Sequence, residues 1–326
     1  MKALVSEGPR QLSVRELPDP VPGPDEVVVR VERVGICGSD VHAYLGHDER
    51  RPPPIVLGHE AAGIVETGPG RGRRVTVNPL VTCGRCPACR AGRDNLCPER
   101  QIISMPPRPG AFAERIAIPA RNLVEVPDEV PLARAALTEP IACGWHAVRL
   151  GHAALGGPAP RVLVLGGGAI GLGAALSARA QGADAVTVVE PNPARARTLR
   201  GLGLDVVEAP RAGTPPDMVI DAVGLAATRA TASAAVRAGG VIVHIGLAEA
   251  TGGLDIRRMT LAEITFIGTY TYTMADFRDT AAAIFSGRLG ALDWPETRGL
   301  SEGPAAFADI LAGKVAAPKI LLDPSA

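Results

Sequence analysis

Three side chains with metal-binding atoms occur in the first fifth of the chain: Cys37, His59 and Glu60. A thiolate, an imidazole and a carboxylate are ligands that a zinc ion accepts together. Taken singly, a Cys in a Val-rich segment is usually a small buried hydrophobe, and a lone His is usually structural. The apolar run at residues 55–57 predicts a strand that would hold His59 and Glu60 rigidly. The combination therefore predicts a zinc site.

Polar groups follow the first of these ligands at once: Ser39, Asp40 and His42. A substrate hydroxyl bound at the predicted site would need such groups to pass its proton to water. Asp40 also has the chemistry to orient His59 as a hydrogen-bond acceptor, which keeps an imidazole a good ligand. The segment therefore predicts proton transfer beside a metal.

Four of the six cysteines form a separate cluster with the spacing C-x2-C-x2-C-x7-C: Cys83, Cys86, Cys89 and Cys97. Four thiolates in one loop close a tetrahedral shell around zinc and leave no open position, so this zinc is predicted to be structural. The alternative is an iron–sulfur cluster, since ferredoxins use a related spacing followed by Pro, and Pro98 is present. The long last gap and the lack of a second cluster motif favour zinc.

Residues 162–165 form a continuous apolar run of the kind found in a buried parallel strand. Gly166, Gly168 and Gly171 follow in the pattern G-x-G-x-x-G, and a helical stretch comes next. In that context the glycines permit a tight turn, close approach of a pyrophosphate and packing of helix on strand. The helix N-terminus supplies N–H donors to phosphate. These residues predict a dinucleotide site.

A second predicted strand, residues 185–189, ends at Glu190. A carboxylate at this position accepts the ribose hydroxyls of NAD and repels the 2′-phosphate of NADP. The sequence therefore predicts NAD as cofactor. The expected cofactor contacts come from the glycine turn, one nearby arginine and later strand ends: Gly166, Gly168, Ala169, Ile170, Gly171, Glu190, Arg195, Val223 and Ile245.

The sequence pattern differs between two parts of the chain. Short β-rich runs at residues 27–31, 64–66 and 75–77, separated by Pro and Gly turns, predict a small, partly closed antiparallel barrel. From residue 161 strands and helices alternate, which predicts a parallel, doubly wound sheet. A final helix and strand in residues 303–324 are expected to return to the first domain.

Composition narrows the function classes. The chain has 326 residues, is 46% hydrophobic and can bury two cores. Its formal net charge is zero, so no basic footprint for nucleic acid or anionic lipid is present. The apolar run at residues 162–178 is short and carries five glycines, so no membrane span is expected. An N-terminus without an apolar signal region and a clustered cysteine set favour metal binding in the cytoplasm.

Together the motifs resemble those of the zinc-dependent medium-chain dehydrogenases over nearly the whole chain. Within that family the sequence is most similar to the sorbitol/polyol dehydrogenase branch, which includes threonine and butanediol dehydrogenases. The motifs are CGSDVH at 37–42, GHEAAG at 58–63, the four-cysteine loop, Glu139-Pro140 and the segment 166–190.

The resemblance implies an α/β protein with a GroES-like antiparallel β-barrel catalytic domain, residues 1–146 and 286–326. A doubly wound Rossmann domain for NAD, residues 147–285, is inserted in it. Two zinc ions per chain, one catalytic and one structural, and a homo-oligomer, either dimer or tetramer, are also implied. The expected partner is a small-molecule alcohol.

Ligand roles follow from the same resemblance. Cys37 and His59 bind the catalytic zinc, and Glu60 is the third ligand in polyol-type members. Glu139 stands where alcohol-type members place a cysteine ligand, and in polyol-type members it lies near the zinc and acts through water or by ligand exchange. Its sequence position alone is equally consistent with an acidic residue that complements a helix dipole.

The implied reaction is reversible oxidation of an alcohol by NAD. Ser39 accepts the hydroxyl proton, which passes through the nicotinamide ribose to His42 and then to solvent, so that Ser39, His42 and Glu139 are the expected catalytic residues. Hydride moves to the nicotinamide. Zinc at the site contributes Lewis acidity toward the substrate oxygen.

The substrate is less defined, because Ala43 replaces a substrate-contacting tyrosine of sorbitol dehydrogenases and Thr271-Tyr272 replaces an Arg-Tyr pair. Tyr44, Thr271 and Tyr272 are the expected substrate contacts. We therefore expect a secondary alcohol such as a vicinal diol, polyol or cyclic polyol, with sorbitol itself not favoured. Alternatives are a threonine dehydrogenase-like activity, a simple-alcohol dehydrogenase, a zinc-free reductase of the same fold, and a non-catalytic NAD-binding sensor.

Overall fold

The computed structural model describes all residues, 1–326, and falls into two compact units. One unit comprises Met1–Glu139 with Thr273–Ala326, and the other comprises Pro140–Tyr272. These boundaries differ from those expected from the sequence, 146/147 and 285/286. The helix that begins at Met274 belongs to the first unit, because the Asp94 carboxylate accepts the Met274 N–H at 3.1 and 3.2 Å.

The start of the second unit also has a packing cause. The helix over residues 138–155 packs on the helix that follows the glycine motif through small side chains. A Cβ at Gly144 would lie 2.4 Å from the backbone nitrogen of Ala174, and one at Gly173 would lie 3.0 Å from the Cα of Ile141. Only glycines allow this approach, so residues 140–146 lie with the second unit.

The regular elements follow one another along the whole chain. The strands are β1 Lys2–Gly8, β2 Gln11–Glu16, β3 Glu26–Gly35, β4 Ile55–Val56, β5 Glu60–Thr67, β6 Arg74–Val77, β7 Leu80–Val81, β8 Gln101–Ile102, β9 Arg115–Pro119, β10 Leu123–Glu125, β11 Arg161–Leu165, β12 Ala185–Val189, β13 Asp205–Val207, β14 Met218–Asp221, β15 Val241–His244, β16 Thr265–Gly268, β17 Glu296–Gly299 and β18 Ile320–Asp323. The helices are α1 Gly38–Tyr44, α2 Pro87–Arg90, α3 Leu132–Ala135, α4 Thr138–Leu155, α5 Ala169–Ala180, α6 Pro193–Gly201, α7 Ala226–Ala235, α8 Ile256–Leu261, α9 Met274–Phe285 and α10 Gly303–Leu311.

The first unit is built on a seven-stranded sheet. Its strand order is β10-β6-β5-β3-β18-β17, and β9 pairs with β3 as well. All neighbours are antiparallel except β17 and β18. A three-stranded sheet, β2-β1-β4, supplies further strands. Val27, Val29 and Val31 of β3 are buried with Phe112 and Phe307 in one apolar cluster.

The long pairing of β3 with β5 positions the metal-ligand candidates. Gly35, the last residue of β3, stands opposite Glu60, the first residue of β5. The turn into α1 follows directly after β3 and carries Cys37. The register of one strand pair therefore brings two distant sequence motifs together.

The second unit is a six-stranded sheet with the order β13-β12-β11-β14-β15-β16. Every pair in it is parallel, which matches the doubly wound arrangement expected for a dinucleotide-binding domain. The central strands are nearly all apolar because helices cover both faces of such sheets. None of the helices in the whole molecule is both long and apolar enough to cross a membrane.

Candidate active site and metal centres

The structure brings Cys37, His59 and Glu60 together. One ligand atom from each lies within 4.8 Å of the other two, and His59 and Glu60 are buried. The His59 Nδ1 atom lies 3.5 Å from the Asp40 carboxylate, so Nε2 is the ring nitrogen left for a metal. The donor set of one nitrogen, one sulfur and one oxygen atom leaves a fourth position open, which fits a catalytic zinc.

Glu60 is held from two sides. Its Oε1 accepts a hydrogen bond of 2.7 Å from the Lys319 ammonium, which also donates to the Ile36 carbonyl at 2.8 Å. Its Oε2 is buried and has no partner in the protein. Across the strand pair lies Gly35, where a Cβ would be only 1.9 Å from Oε2. Glu60 therefore presents one unpaired carboxylate oxygen, which is what a cation requires.

Lys319 keeps its positive charge although it is buried. Burial by itself lowers the pKa of this ammonium, but the charges of Glu60, Cys37 and Glu139 raise the pKa above its usual value. Glu139 lies in the first turn of α4 and is 6% exposed. It is near enough to act on Lys319, yet it is not part of the three-residue donor group.

Asp40 is the centre of a second buried network. Its carboxylate accepts hydrogen bonds from the Cys37 and Gly58 backbone N–H groups and from the Arg51 guanidinium at 3.1 Å. Burial raises the pKa of Asp40, but its neighbours His59 and Arg51 outweigh burial and bring the pKa to about 2. Asp40 therefore stays ionised and fixes the turn that carries the first ligand.

The two expected proton-transfer residues differ in exposure. Ser39 is partly buried, and its Oγ accepts a hydrogen bond of 3.3 Å from the Arg51 guanidinium. His42, in the last turn of α1, is exposed to solvent. Ser39 is therefore partly shielded next to the candidate ligand Cys37, and His42 can exchange protons with water.

The four cysteines also come together. One sulfur of each lies within 4.8 Å of the others, and the Sγ atoms of Cys83 and Cys97 are 3.5 Å apart. A hydrogen bond from the Cys89 backbone N–H lowers the pKa of the Cys86 thiol to about 7, which favours the thiolate that binds metal. Four sulfur donors and no open position fit a structural zinc.

The glycine turn of the second unit has the shape expected for a phosphate cradle. Gly166 has a φ of 95°, which glycine tolerates best, and a Cβ at Gly171 would lie 1.8 Å from the Gly166 carbonyl oxygen. Gly168 precedes the first turn of α5, formed by Ala169 and Ile170, and its missing Cβ leaves open space. This turn fits a pyrophosphate at a helix N-terminus.

Glu190 lies beside that turn and is 3% exposed. One carboxylate oxygen accepts the Gly167 N–H at 3.0 Å and an Arg195 guanidinium N–H at 3.1 Å. The other accepts the Asn192 N–H at 2.8 Å. The predicted ribose acceptor is therefore fixed to the glycine turn, and the predicted arginine is attached to it.

The remaining two expected cofactor contacts follow neighbouring strands. The Val223 side chain covers Gly166, where a Cβ would meet its methyl carbon at 2.5 Å. Ile245 follows β15 and donates its N–H to the Asp221 carbonyl. Both lie at the carboxyl edge of the parallel sheet, where such domains bind their ligands.

Two sequence models of protein families match the chain. The model described as the alcohol dehydrogenase GroES-like domain matches residues 23–128, and the model described as zinc-binding dehydrogenase matches residues 169–286. L-Galactonate-5-dehydrogenase of Escherichia coli K12 is 34% identical to the chain, and the match covers 89% of each. The chain belongs to the zinc-binding dehydrogenase family.

Other comparisons agree with this assignment. The dehydrogenase is 35% identical to sorbitol dehydrogenase of Bacillus subtilis, with 76% of this chain and 75% of that one covered. A solved structure from Sinorhizobium meliloti 1021, bound to NADP, is similar with a TM-score of 0.89 at 30% identity, covering 99% of each chain. The predicted fold class, dehydrogenase activity, zinc and nicotinamide cofactor are confirmed.

Two of the three expected substrate contacts of the dehydrogenase are buried in its core. Tyr44 is 9% exposed, its ring lies 5.1 Å from that of Phe307, and its hydroxyl donates to the Arg10 carbonyl at 3.3 Å. The structure therefore assigns Tyr44 to the core, because it lies on the inward face of α1. Tyr272 is 1% exposed and also packs inside the protein.

Thr271 is the one of the three with an unusual backbone. Its φ is 46°, which is costly for a β-branched residue, and its Oγ1 is buried without a partner. Strained residues of this kind concentrate at functional sites. Thr271 therefore keeps its place among the candidate substrate contacts.

Three residues of the site were not identified from the sequence of the dehydrogenase: Gly35, Arg51 and Lys319. Arg51 lies in an Arg-Arg-Pro-Pro-Pro segment that is typical of a surface turn. Lys319 offered a signal, since it is one of three lysines and begins a predicted apolar strand. A charged residue at that position is buried only when it is paired.

Proposed function

We propose that this dehydrogenase oxidises a secondary alcohol of a polyol or vicinal diol with NAD. The observation that carries the proposal is Glu60, whose unpaired Oε2 lies beside the Cys37 and His59 donors. A carboxylate ligand makes the metal site more polar than a second thiolate would, which suits a substrate with several hydroxyls. Zinc supplies Lewis acidity to the substrate oxygen at this site.

The protein's own residues provide the proton path. Ser39 accepts the substrate hydroxyl proton, and His42 passes a proton on to water. The partly buried Ser39 and the exposed His42 support this direction. Glu139, whose charge acts on the Lys319 ammonium, would be available to a bound metal through water or in exchange with Glu60. Ser39→Ala should lower the rate of hydride transfer by about 10²-fold or more if the relay operates.

NAD is proposed as the cofactor in preference to NADP. A 2′-phosphate would meet the carboxylate of Glu190, which the Gly167 N–H and Arg195 hold in place. The relative from Sinorhizobium meliloti was solved with NADP, so the two cofactors must be compared directly. The ratio of kcat/KM for NAD and NADP tests the proposal, and equal or better use of NADP would reject it.

The relatives support a polyhydroxy substrate. Those described above act, by their names, on sorbitol and on L-galactonate, which is a sugar acid. A sugar acid is therefore the second candidate substrate class. Threonine and simple alcohols are also candidate substrates, and the same assay compares them. A non-catalytic protein would not be expected to keep both donor sets and Ser39.

The decisive experiment is a panel of alcohols assayed by NADH formation with the zinc-loaded enzyme. The panel contains sorbitol, xylitol, myo-inositol, 2,3-butanediol, L-galactonate, threonine, propan-2-ol and ethanol. The highest kcat/KM is expected for a polyol, cyclitol or vicinal diol. The kcat/KM for sorbitol is expected to be lower than that of the best substrate. The polyol assignment would be wrong if ethanol or another simple alcohol gave the highest kcat/KM.

Two further features are proposed from the family resemblance and composition. The enzyme is a homo-oligomer, a dimer or tetramer, in the cytoplasm, and zinc binding belongs to the first unit, Met1–Glu139 with Thr273–Ala326, and NAD binding to the second, Pro140–Tyr272. Light scattering with purified protein tests the oligomer, and a monomer at micromolar concentration would reject it.

A further inference from the structure

Arg51 is a buried charged side chain that contacts Ser39. It is 2% exposed, and one guanidinium nitrogen donates to the Asp40 carboxylate at 3.1 Å. The other terminal nitrogen donates to Ser39 Oγ at 3.3 Å. Its neighbour Arg50 is 65% exposed and pairs with Asp48, whose carboxylate also lies 3.5 Å from Arg51 Nε. The two adjacent arginines share Asp48 but differ in burial, and Arg51 alone of the two contacts Asp40 and Ser39 on the proposed proton path.

We propose that Arg51 is a positioning residue that sets the direction in which the Ser39 hydroxyl passes a proton. The proposal rests on the proton relay through Ser39 proposed above. A guanidinium has five N–H donors and no acceptor, and it stays protonated. The Ser39 O–H therefore cannot point at Arg51, and one of the two Oγ lone pairs is occupied by the Arg51 N–H.

One lone pair and the O–H of Ser39 then remain for the reaction. The lone pair accepts the proton of the substrate hydroxyl while the Ser39 proton moves on, away from Arg51, toward His42 and solvent. The substrate carbon loses a hydride to NAD, so the alcohol becomes a carbonyl group and NAD becomes NADH with release of one proton. Ser39 ends with the same number of protons as before, and Arg51 gives up none.

The simultaneous contact with Asp40 and Ser39 requires the shape of an arginine side chain. A lysine has a single nitrogen as donor centre, whereas the planar fork of arginine reaches two acceptors at once. Asp40 has two other donors, the N–H groups of Cys37 and Gly58, so the loop does not depend on Arg51 alone. A lysine at 51 would keep a positive charge beside Asp40 and lose the fixed contact with Ser39.

The test is a double-mutant cycle measured by single-turnover NADH formation with NAD and the alcohol of highest kcat/KM in the panel. The variants are Arg51→Met, Ser39→Ala and the double variant. Arg51→Met should slow the step by at least about tenfold, the effect of losing one charged hydrogen bond. In the Ser39→Ala background the same change should have no further effect. An equal loss in both backgrounds would overturn the proposal.

Further measurements separate positioning from folding. Arg51→Lys and Arg51→Met should keep two zinc ions and wild-type KM for NAD, and both should enlarge the solvent deuterium isotope effect on the hydride step. Arg50→Met is the matched control and should behave as wild type. Loss of zinc in both Arg51 variants, or full rescue of the rate by Arg51→Lys, would show that the residue acts only through its charge or the fold.

Failure of the relay gives a different pattern. If Ser39→Ala alone leaves the hydride-transfer rate unchanged, the proposed proton path is wrong and the role of Arg51 falls with it. If Ser39→Ala slows the step and Arg51→Met does not, the path stands and only the role of Arg51 is wrong.

Discussion

Gly35 is the residue at which the smallest change should have the largest effect on the catalytic site. Its φ lies outside the left-handed region, so alanine is acceptable to the backbone. A Cβ at this position would lie 1.9 Å from Glu60 Oε2 and 3.0 Å from its carboxylate carbon. Real Cβ contacts are longer than 3.0 Å, so Oε2 must move by at least about 1 Å. The predicted perturbation is Gly35→Ala.

The movement cannot be absorbed without a cost. Zinc–oxygen bonds are about 2.0–2.2 Å long, so a shift of about 1 Å removes the ligand. If the whole Glu60 carboxylate instead moves away from Lys319, the 2.7 Å contact between them is broken. Breaking a buried ion pair costs about 3–5 kcal/mol. We expect affinity for the catalytic zinc to fall by at least about 10–100-fold, the loss seen when supporting groups are removed.

Elemental analysis after dialysis against a weak chelator measures this loss. Gly35→Ala should retain one zinc per chain, the structural ion, and should lose alcohol oxidation. Gly38→Ala is the matched control for zinc content, since a Cβ there has nothing within 4 Å. Two zinc ions in Gly35→Ala with unchanged kcat/KM would refute the assignment of Glu60 as a ligand.

Four other changes test separate parts of the molecule. Cys83→Ser should leave one zinc per chain and lower Tm, because its loop anchors α9; an unchanged metal content would count against a four-cysteine site. Tyr44→Phe should cost about 1 kcal/mol of unfolding free energy and leave kcat/KM unchanged, whereas a substrate contact would lose activity. Lys319→Met should destabilise the zinc-free protein in urea by about 3–5 kcal/mol and the zinc-loaded protein by less, since zinc then neutralises Glu60. Burial raises the pKa of Asp221, but hydrogen bonds from His244 and backbone N–H groups outweigh burial and lower it. The Tm of Asp221→Asn should therefore lie below that of wild type at pH 7, and the difference should shrink as pH falls below about 4. A deficit that is independent of pH would contradict that last expectation.

Much of the fold follows from the sequence because its signals are local. The apolar run before Gly166 predicts β11, and Ala185–Val189 is the strand expected from its apolar residues. Each strand is a run of mostly apolar residues that ends just before a recognisable residue, Gly166 or Glu190. The strand β13 has three residues, Asp205–Val207, which is too short for any period, and it is fixed by pairing with β12 instead.

The site is less predictable because its supporting contacts are not local. Residue type and spacing predict Cys37, His59 and Glu60 as metal ligands, and the structure brings them together. The groups that hold them depend on strand register and loop path, which the sequence does not display. Lys319 reaches the Ile36 carbonyl across 283 residues of chain. No window of sequence contains both partners.

Sequence position alone also does not show which way the Tyr44 side chain points, although it was the basis for expecting a substrate contact. Tyr44 follows the expected sequence position of a substrate contact by one residue. In a helix one residue corresponds to a rotation of about 100°, which is enough to turn a side chain from a surface to the core. Its hydroxyl therefore meets the Arg10 carbonyl, and the ring contacts Phe307.

The position of β18 has a consequence for biosynthesis. The second unit is one uninterrupted stretch, Pro140–Tyr272, so its strands are synthesised before the last segment of the first unit, Thr273–Ala326. β18 pairs with β3 and is preceded directly by Lys319, so the sheet beneath the candidate ligands is incomplete until β18 has been synthesised. During synthesis the nucleotide-binding domain can therefore mature first. Glu60 acquires its cationic neighbour only after Lys319 has been synthesised, so the nascent chain carries the three donor residues long before the ion pair that holds Glu60.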